Sequence, residues 1–172
     1  MSAMNRIRIA VGQRLPHGLE HGVMSAVAGL AAYLPTHALG IEEAFWSAIT
    51  AVAVVQTEYG AAQSTGRDQF VGAAIGGSIA LAMVFLTGER IWTYALAVML
   101  SILICWLLDI ASAARLAGTT ATIILLVPHT GSPQQIMFAR VSEVAWGVSV
   151  AIATVWLATK LGAVRLGGGA KP

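Results

Sequence analysis

The chain has 172 residues, 57% hydrophobic and 10% charged, with a formal net charge of +2 at pH 7. An ordinary soluble domain is about 25% charged, and so little polar surface cannot cover this much apolar sequence in water. The small basic excess gives no footprint for nucleic acid, and the single cysteine, Cys105, excludes a disulfide framework within the chain.

Residues 1–17 carry Arg6, Arg8 and Arg14 but no apolar core of signal-peptide length. They read as a short cytoplasmic arm, mobile over residues 1–16. Beyond it the charges fall at regular breaks, leaving uncharged runs at 22–41, 44–57, 69–88, 91–108, 116–139 and 144–159. The runs are continuous rather than alternating, which argues against a β-barrel. A spanning helix needs about 20 mostly apolar residues to cross roughly 30 Å of hydrocarbon. The run 116–139 is cut by Pro128 and Pro133, with His129 between them. This punctuation predicts helices at about 18–38, 43–57, 68–87, 91–109, 114–128 and 135–159, followed by a tail at 161–172 whose Gly-rich end is mobile. The expected fold is all-α: an integral membrane six-helix module over 18–160.

Cytoplasmic flanks are enriched in Lys and Arg. With the N-terminus inside, Arg6, Arg8, Arg14, Arg67, Arg115, Lys160, Arg165 and Lys171 all fall on the inner side, and only Arg90 on the outer side. Both termini are therefore predicted to be cytoplasmic. The outer connection before the second helix carries Glu42 and Glu43. Trp46, Trp92 and Tyr94 lie near the outer surface and Tyr59 near the inner one, as an aromatic belt would place them.

The second and fifth helices are short, at about 21 Å and 18 Å for their uncharged parts. Each is the middle element of a three-helix half, and each precedes a helix with an arginine near its start, Arg67 or Arg140. Two three-helix halves in sequence must be inverted relative to each other. Short helices at matching places in inverted halves point to a transport site near the midplane; alternatively they lie in a thinned bilayer.

Ionisable groups at membrane depth are costly and usually face the bundle interior. Arg140 and Glu143 are spaced to share a helix face, continued by Gly147, Ala151 and Thr154, while Val144, Val148, Val150 and Trp156 lie elsewhere. The pair is either a substrate contact or a structural couple that neutralises itself. Arg67 beside Asp68, and Arg115 after Asp109, sit near the inner surface, where snorkelling competes with substrate contact. Thr50, Gln56 and Thr119 bring hydroxyls and an amide to membrane depth, as anion contacts or as helix–helix glue. Trp46 belongs to the belt or stacks on a ring-bearing substrate. Gly72 and Gly76 form a small-residue face for close packing within the chain or between two copies. The spacing of His, Cys and carboxylates suggests no metal site. No catalytic triad, phosphate loop or dinucleotide fingerprint is present, so neither an enzyme nor a cofactor is expected.

The segment Phe45-Trp46-Ser47-Ala48-Ile49-Thr50-Ala51-Val52-Ala53-Val54-Val55-Gln56, then Tyr59-Gly60, then Arg67-Asp68-Gln69-Phe70-Val71-Gly72 with Gly76, resembles the signature region of the fusaric acid resistance and aromatic acid exporter family. The stretch Ala113-Ala114-Arg115-Leu116-Ala117-Gly118-Thr119, and Ala139-Arg140-Val141-Ser142-Glu143 with Gly147, is similar to the second half of its membrane module. Aluminium-activated malate channels are more distant in resemblance. The family has a Gln-Pro step where this chain has Gln56-Thr57, and its larger members carry two membrane modules and soluble domains. The resemblance implies efflux of organic acids, often aromatic carboxylates, across the bacterial inner membrane. The leading expectation is a homodimeric transporter or channel for small organic anions, embedded in the lipid bilayer. The alternative is a membrane scaffold or accessory subunit of a larger efflux assembly, without transport of its own.

Overall fold

The computed structural model describes residues 3–41, 43–127 and 132–162. Among the described residues six helices follow one another: α1 (Ala3–Ala38), α2 (Phe45–Val54), α3 (Tyr59–Thr87), α4 (Ile91–Leu107), α5 (Ala111–Leu126) and α6 (Pro133–Lys160). There is no strand among the described residues. The chain is an all-α six-helix bundle. Residues 1–2, Glu42, residues 128–131 with Pro128 and His129, and the Gly-rich tail from 163 onward lie outside the described residues.

Several boundaries differ from the sequence expectation, α5 among them, which starts at Ala111 and not near 114. The segment read as an arm is helical from Ala3 and continuous with α1, which passes through Pro16 and Pro35. α3 starts at Tyr59, not near 68, so Arg67 and Asp68 lie inside it. A charged pair marks where a helix meets headgroups, and the hydrogen-bond ladder need not stop there. α6 starts at Pro133 because Ser132 and Gln135 form a capping box around that proline. α2, in contrast, is short. After Val54 the chain turns extended at Val55 (φ −57°, ψ 127°) and is still extended at Glu58 before α3 begins. The other stops are conventional: Gly88 closes α3 at φ +75°, and Asp109 adopts φ +58° between α4 and α5.

Side chains are sorted by size, with small residues inside and large apolar ones outside. Ala28, Ala32, Ala51, Ala62, Ala80, Ala97, Ala113, Ala117, Ala121 and Ala151 are buried, whereas Phe85, Leu86, Ile91, Trp106, Leu107 and Phe138 are exposed. Water would drive the opposite sorting. In lipid the outer face gains nothing from burial, and association rests on close backbone approach through small residues. α3 and α6 are long and apolar enough to cross a bilayer by themselves, at about 43 Å and 42 Å. α2 has 10 residues and α5 has 16, about 15 Å and 24 Å.

The packing has an internal two-fold pattern. α1, α2 and α6 touch one another, as do α4, α5 and α3, and the two trios meet along α3 and α6. Exchanging α1 with α4, α2 with α5 and α3 with α6 leaves the set of packed pairs unchanged, down to the slight contacts α2–α3 and α5–α6. This is the arrangement of two three-helix repeats that exchange their third helices. The first trio is built around Met24, Ala28, Ala32, Ala51, Val54, Val55, Ala151 and Val155, with Ala62 of α3 reaching in. The second is built around Cys105, Ala113, Ala114 and Ala117, against Val71 and Ile75.

Glycines set the closest approaches. A Cβ at Gly76 would collide with the backbone carbonyl of Ala117, and one at Gly72 would lie 2.7 Å from Leu116 Cβ. These two glycines therefore seat α3 on α5 of the same chain. The face they form is occupied, which corrects its candidacy as a surface for a second copy.

Candidate functional site

The first trio holds a buried charged cluster. Arg140 and Glu143 are one turn apart on α6, each only 8% exposed. With Val144, Gly147, Ala151 and Val155 they form the buried face of that helix. Val144 and Val155 are part of this face, so it is less uniformly small and polar than the residue pattern indicated, and Val144 does not lie elsewhere. α2 is pressed against it at Gly147, where a Cβ would come within 2.5 Å of the Ser47 carbonyl oxygen and 2.8 Å of Thr50 Cβ. Glycine is thus required for the two backbones to meet. Thr50 is buried at this contact. That register brings the first turn of α2 level with Glu143 and Arg140.

Two interactions hold the arginine. Its Nη1 lies 3.5 Å from Glu143 Oε2, and its guanidinium carbon lies 4.6 Å from the centroid of the Trp46 ring. The first is a contact of charges without hydrogen-bond geometry: Arg140 Nε and Nη1, Glu143 Oε2 and Trp46 Nε1 are all buried and have no hydrogen-bond partner. The second is a cation–π contact. Three N–H bearing atoms and one carboxylate oxygen are therefore left without partners in one place. Each such group costs about 1–3 kcal/mol when buried. Glu43, just before α2, is within electrostatic range of both Arg140 and Glu143. α2 follows Ala44, which provides no side-chain cap, and has no acidic residue in its first turn. Ala44 N and Trp46 N donate to the backbone carbonyls of Ile41 and Glu43 at 3.2 and 3.0 Å, and the helix dipole adds positive potential at this level.

A hydroxyl network fixes the neighbouring wall. Ser47 Oγ donates to the carbonyls of Ala44 (2.7 Å) and Ala32 (3.2 Å). Trp146 Nε1 donates to the same Ala32 carbonyl at 3.0 Å, and Thr36 Oγ1 reaches it at 3.0 Å. One α1 carbonyl thus joins α2 and α6 next to the charged cluster. Ser47, Thr36, Trp146 and Glu43 were not singled out as site residues from the sequence. The one local signal was Ser47 and Thr50 sharing a face of an otherwise apolar helix.

The remaining sequence candidates lie elsewhere. Gln56 is in the extended stretch past the far end of α2, ten residues beyond Trp46. Arg67 is exposed and paired with Asp68 at 3.6 Å. Its neighbour Gly66 faces Val148 and Ile152, eight and twelve residues beyond Arg140, or about 12–18 Å along α6. Thr119 is exposed, with its hydroxyl returned to the Arg115 carbonyl at 2.9 Å, and Arg115 is exposed as well. The structure joins Arg140, Glu143, Trp46 and, one turn deeper, Thr50. It does not join Gln56, Arg67, Arg115 or Thr119 to them.

The sequence model of the family described as fusaric acid resistance protein-like matches residues 25–154, which includes every member of this cluster. The chain belongs to that family. Membership gives it a membrane transport- or resistance-related function and places its apolar exterior in a lipid bilayer. No curated protein and no solved structure matches the chain.

Proposed function

We propose that this family member is a transporter or channel for small organic anions, aromatic carboxylates among them, working in the bacterial inner membrane as a homodimer with both termini cytoplasmic and moving its substrate outward. The supporting observation is the buried Arg140 with two unpartnered nitrogens beside Trp46. A carboxylate satisfies a guanidinium edge with two parallel charge-assisted hydrogen bonds. A flat ring attached to it matches the apolar indole beside it. The uncapped start of α2 adds to the attraction. Self-neutralisation by Glu143 alone leaves the two guanidinium nitrogens and the indole N–H unsatisfied, which favours a ligand role over a purely structural pair. The basic residues of the inner flanks support the orientation.

The test is flux of labelled benzoate and succinate in proteoliposomes. Wild-type protein should carry at least one of them, and Arg140→Gln, shown to be folded, should abolish it. Unchanged flux in folded Arg140→Gln, or no flux of either acid in the wild type, overturns the reading.

A further inference from the structure

We infer that binding of an anion at Arg140 takes up one proton, carried on Glu143, so that the site handles anion and proton together. This rests on the anion reading above and concerns what that reading requires of the neighbouring carboxylates.

The argument is a charge count. Arg140 faces Glu143 at 3.5 Å and feels Glu43, so the cluster with all groups ionised already holds two carboxylates against one guanidinium. An incoming carboxylate makes it three against one. Arg140 and Glu143 are each 8% exposed, and a buried charge persists only when it is paired. A ligand that takes the guanidinium edge Glu143 approaches displaces it, and Glu143 Oε2 has no hydrogen-bond donor to fall back on.

Among the described residues no second cation can replace the arginine. α2 has no ionisable side chain. On α1, His37 is exposed and stacked on Tyr33, their ring centroids 5.1 Å apart; the half-buried His21 lies about 16 Å along the helix from Ala32, and Arg14, His17, Arg90 and Lys160 are exposed. On α3, Arg67 is engaged with Asp68 and lies two to three turns away along α6. Arg115 on α5 is exposed. A proton on Glu143 returns the cluster to the net charge of the empty site, with the ligand carboxylate in place of that of Glu143. The step balances simply: the carboxylate of Glu143 and one proton from water give the carboxylic acid, whose O–H then donates to the bound anion. When anion and proton leave together, the net species moved is the neutral acid.

The same count gives the sign of the pH effect. The bound state holds a proton that the empty ionised state lacks, so affinity falls as pH rises, by about tenfold per pH unit where Glu143 is ionised in the empty site.

Calorimetry of full-length protein in nanodiscs, titrated with benzoate in two buffers of different ionisation enthalpy, counts the protons taken up. The expected result is an uptake approaching one per benzoate, with affinity falling as pH rises. Glu143→Gln should bind benzoate with no uptake and no pH dependence. Benzoate binding to wild type without proton uptake overturns the inference and leaves the anion reading standing, as does an unchanged uptake in Glu143→Gln. If Glu143→Gln does not fold, the wild-type proton count decides alone. Failure of folded wild type to bind benzoate at any pH overturns the inference together with the assignment of aromatic carboxylates to this site.

Discussion

The position of Gly147 against Ser47 determines where the arginine stands. Its hydrogen occupies the space in which a methyl group would come within 2.5 Å of the Ser47 carbonyl oxygen. Seven residues before Gly147 on α6, about two turns, is Arg140, and one residue before Ser47 is Trp46. The gap between two backbones therefore sets the stacking of a cation on a ring.

Gly147→Ala should destabilise the protein by about 1–3 kcal/mol, the usual penalty for overpacking, and should lift Trp46 off Arg140. Gly22→Ala, where no atom lies within 4 Å of the added carbon, should be neutral or stabilising by up to about 1 kcal/mol. Thermal unfolding in mild detergent compares the two. Equal melting temperatures would show that α2 and α6 are not in this contact.

Gly76→Leu should unfold the chain instead of merely separating copies, because its side chain would run into the Ala117 backbone on α5. Gly72→Leu should behave alike. Size-exclusion with light scattering, run beside a thermal melt, distinguishes the outcomes. A well-folded monomer produced by either variant would return these glycines to a subunit interface.

Trp46→Leu should weaken anion binding through two losses, the cation–π contact, worth about 0.5–2 kcal/mol, and the ring surface. Trp46→Phe should recover part of it. Concentration dependence of flux in proteoliposomes gives the ranking wild type, Phe, Leu. Leu matching wild type would confine Trp46 to the membrane-belt role.

With Cys105 replaced by Ala, a cysteine at Glu89, in the exposed turn between α3 and α4, should react with an impermeant thiol reagent from outside the cell only. A cysteine at Thr57, exposed in the extended stretch after α2, should react from the inside only. The reverse pattern would invert the topology.

The helices were legible in the sequence to the extent that charges and turn residues coincide with their ends, as at Gly88 and at Pro133. They are not legible where a charge sits within a helix: Arg67 and Asp68 suggest a boundary, yet α3 begins at Tyr59, more than two turns before them. The Arg140–Glu143 pair could be read because three-residue spacing fixes a shared face. The partner of Arg140 could not, since Trp46 lies on another helix and only the Gly147 contact brings it close. The same holds for Trp146 and Ala32, 114 residues apart. Gln56, Arg67, Arg115 and Thr119 were plausible by chemistry alone, and it is the paths of α3 and α5 that take them away from the cluster.

The exchange of third helices between the two repeats has a consequence for how the protein is made. α2 is about 15 Å long, half the hydrocarbon thickness, and its principal wall is α6, which is synthesised well after it. At synthesis rates of about 5–20 residues per second, the roughly ninety residues between Trp46 and Arg140 hold that wall back for about 4–18 seconds. During this interval the first three helices lack the surface on which Ser47 and Thr50 come to rest. A nascent chain arrested after α5 should therefore leave α2 shallow and open to protease, and adding α6 as a separate peptide should drive it to full depth.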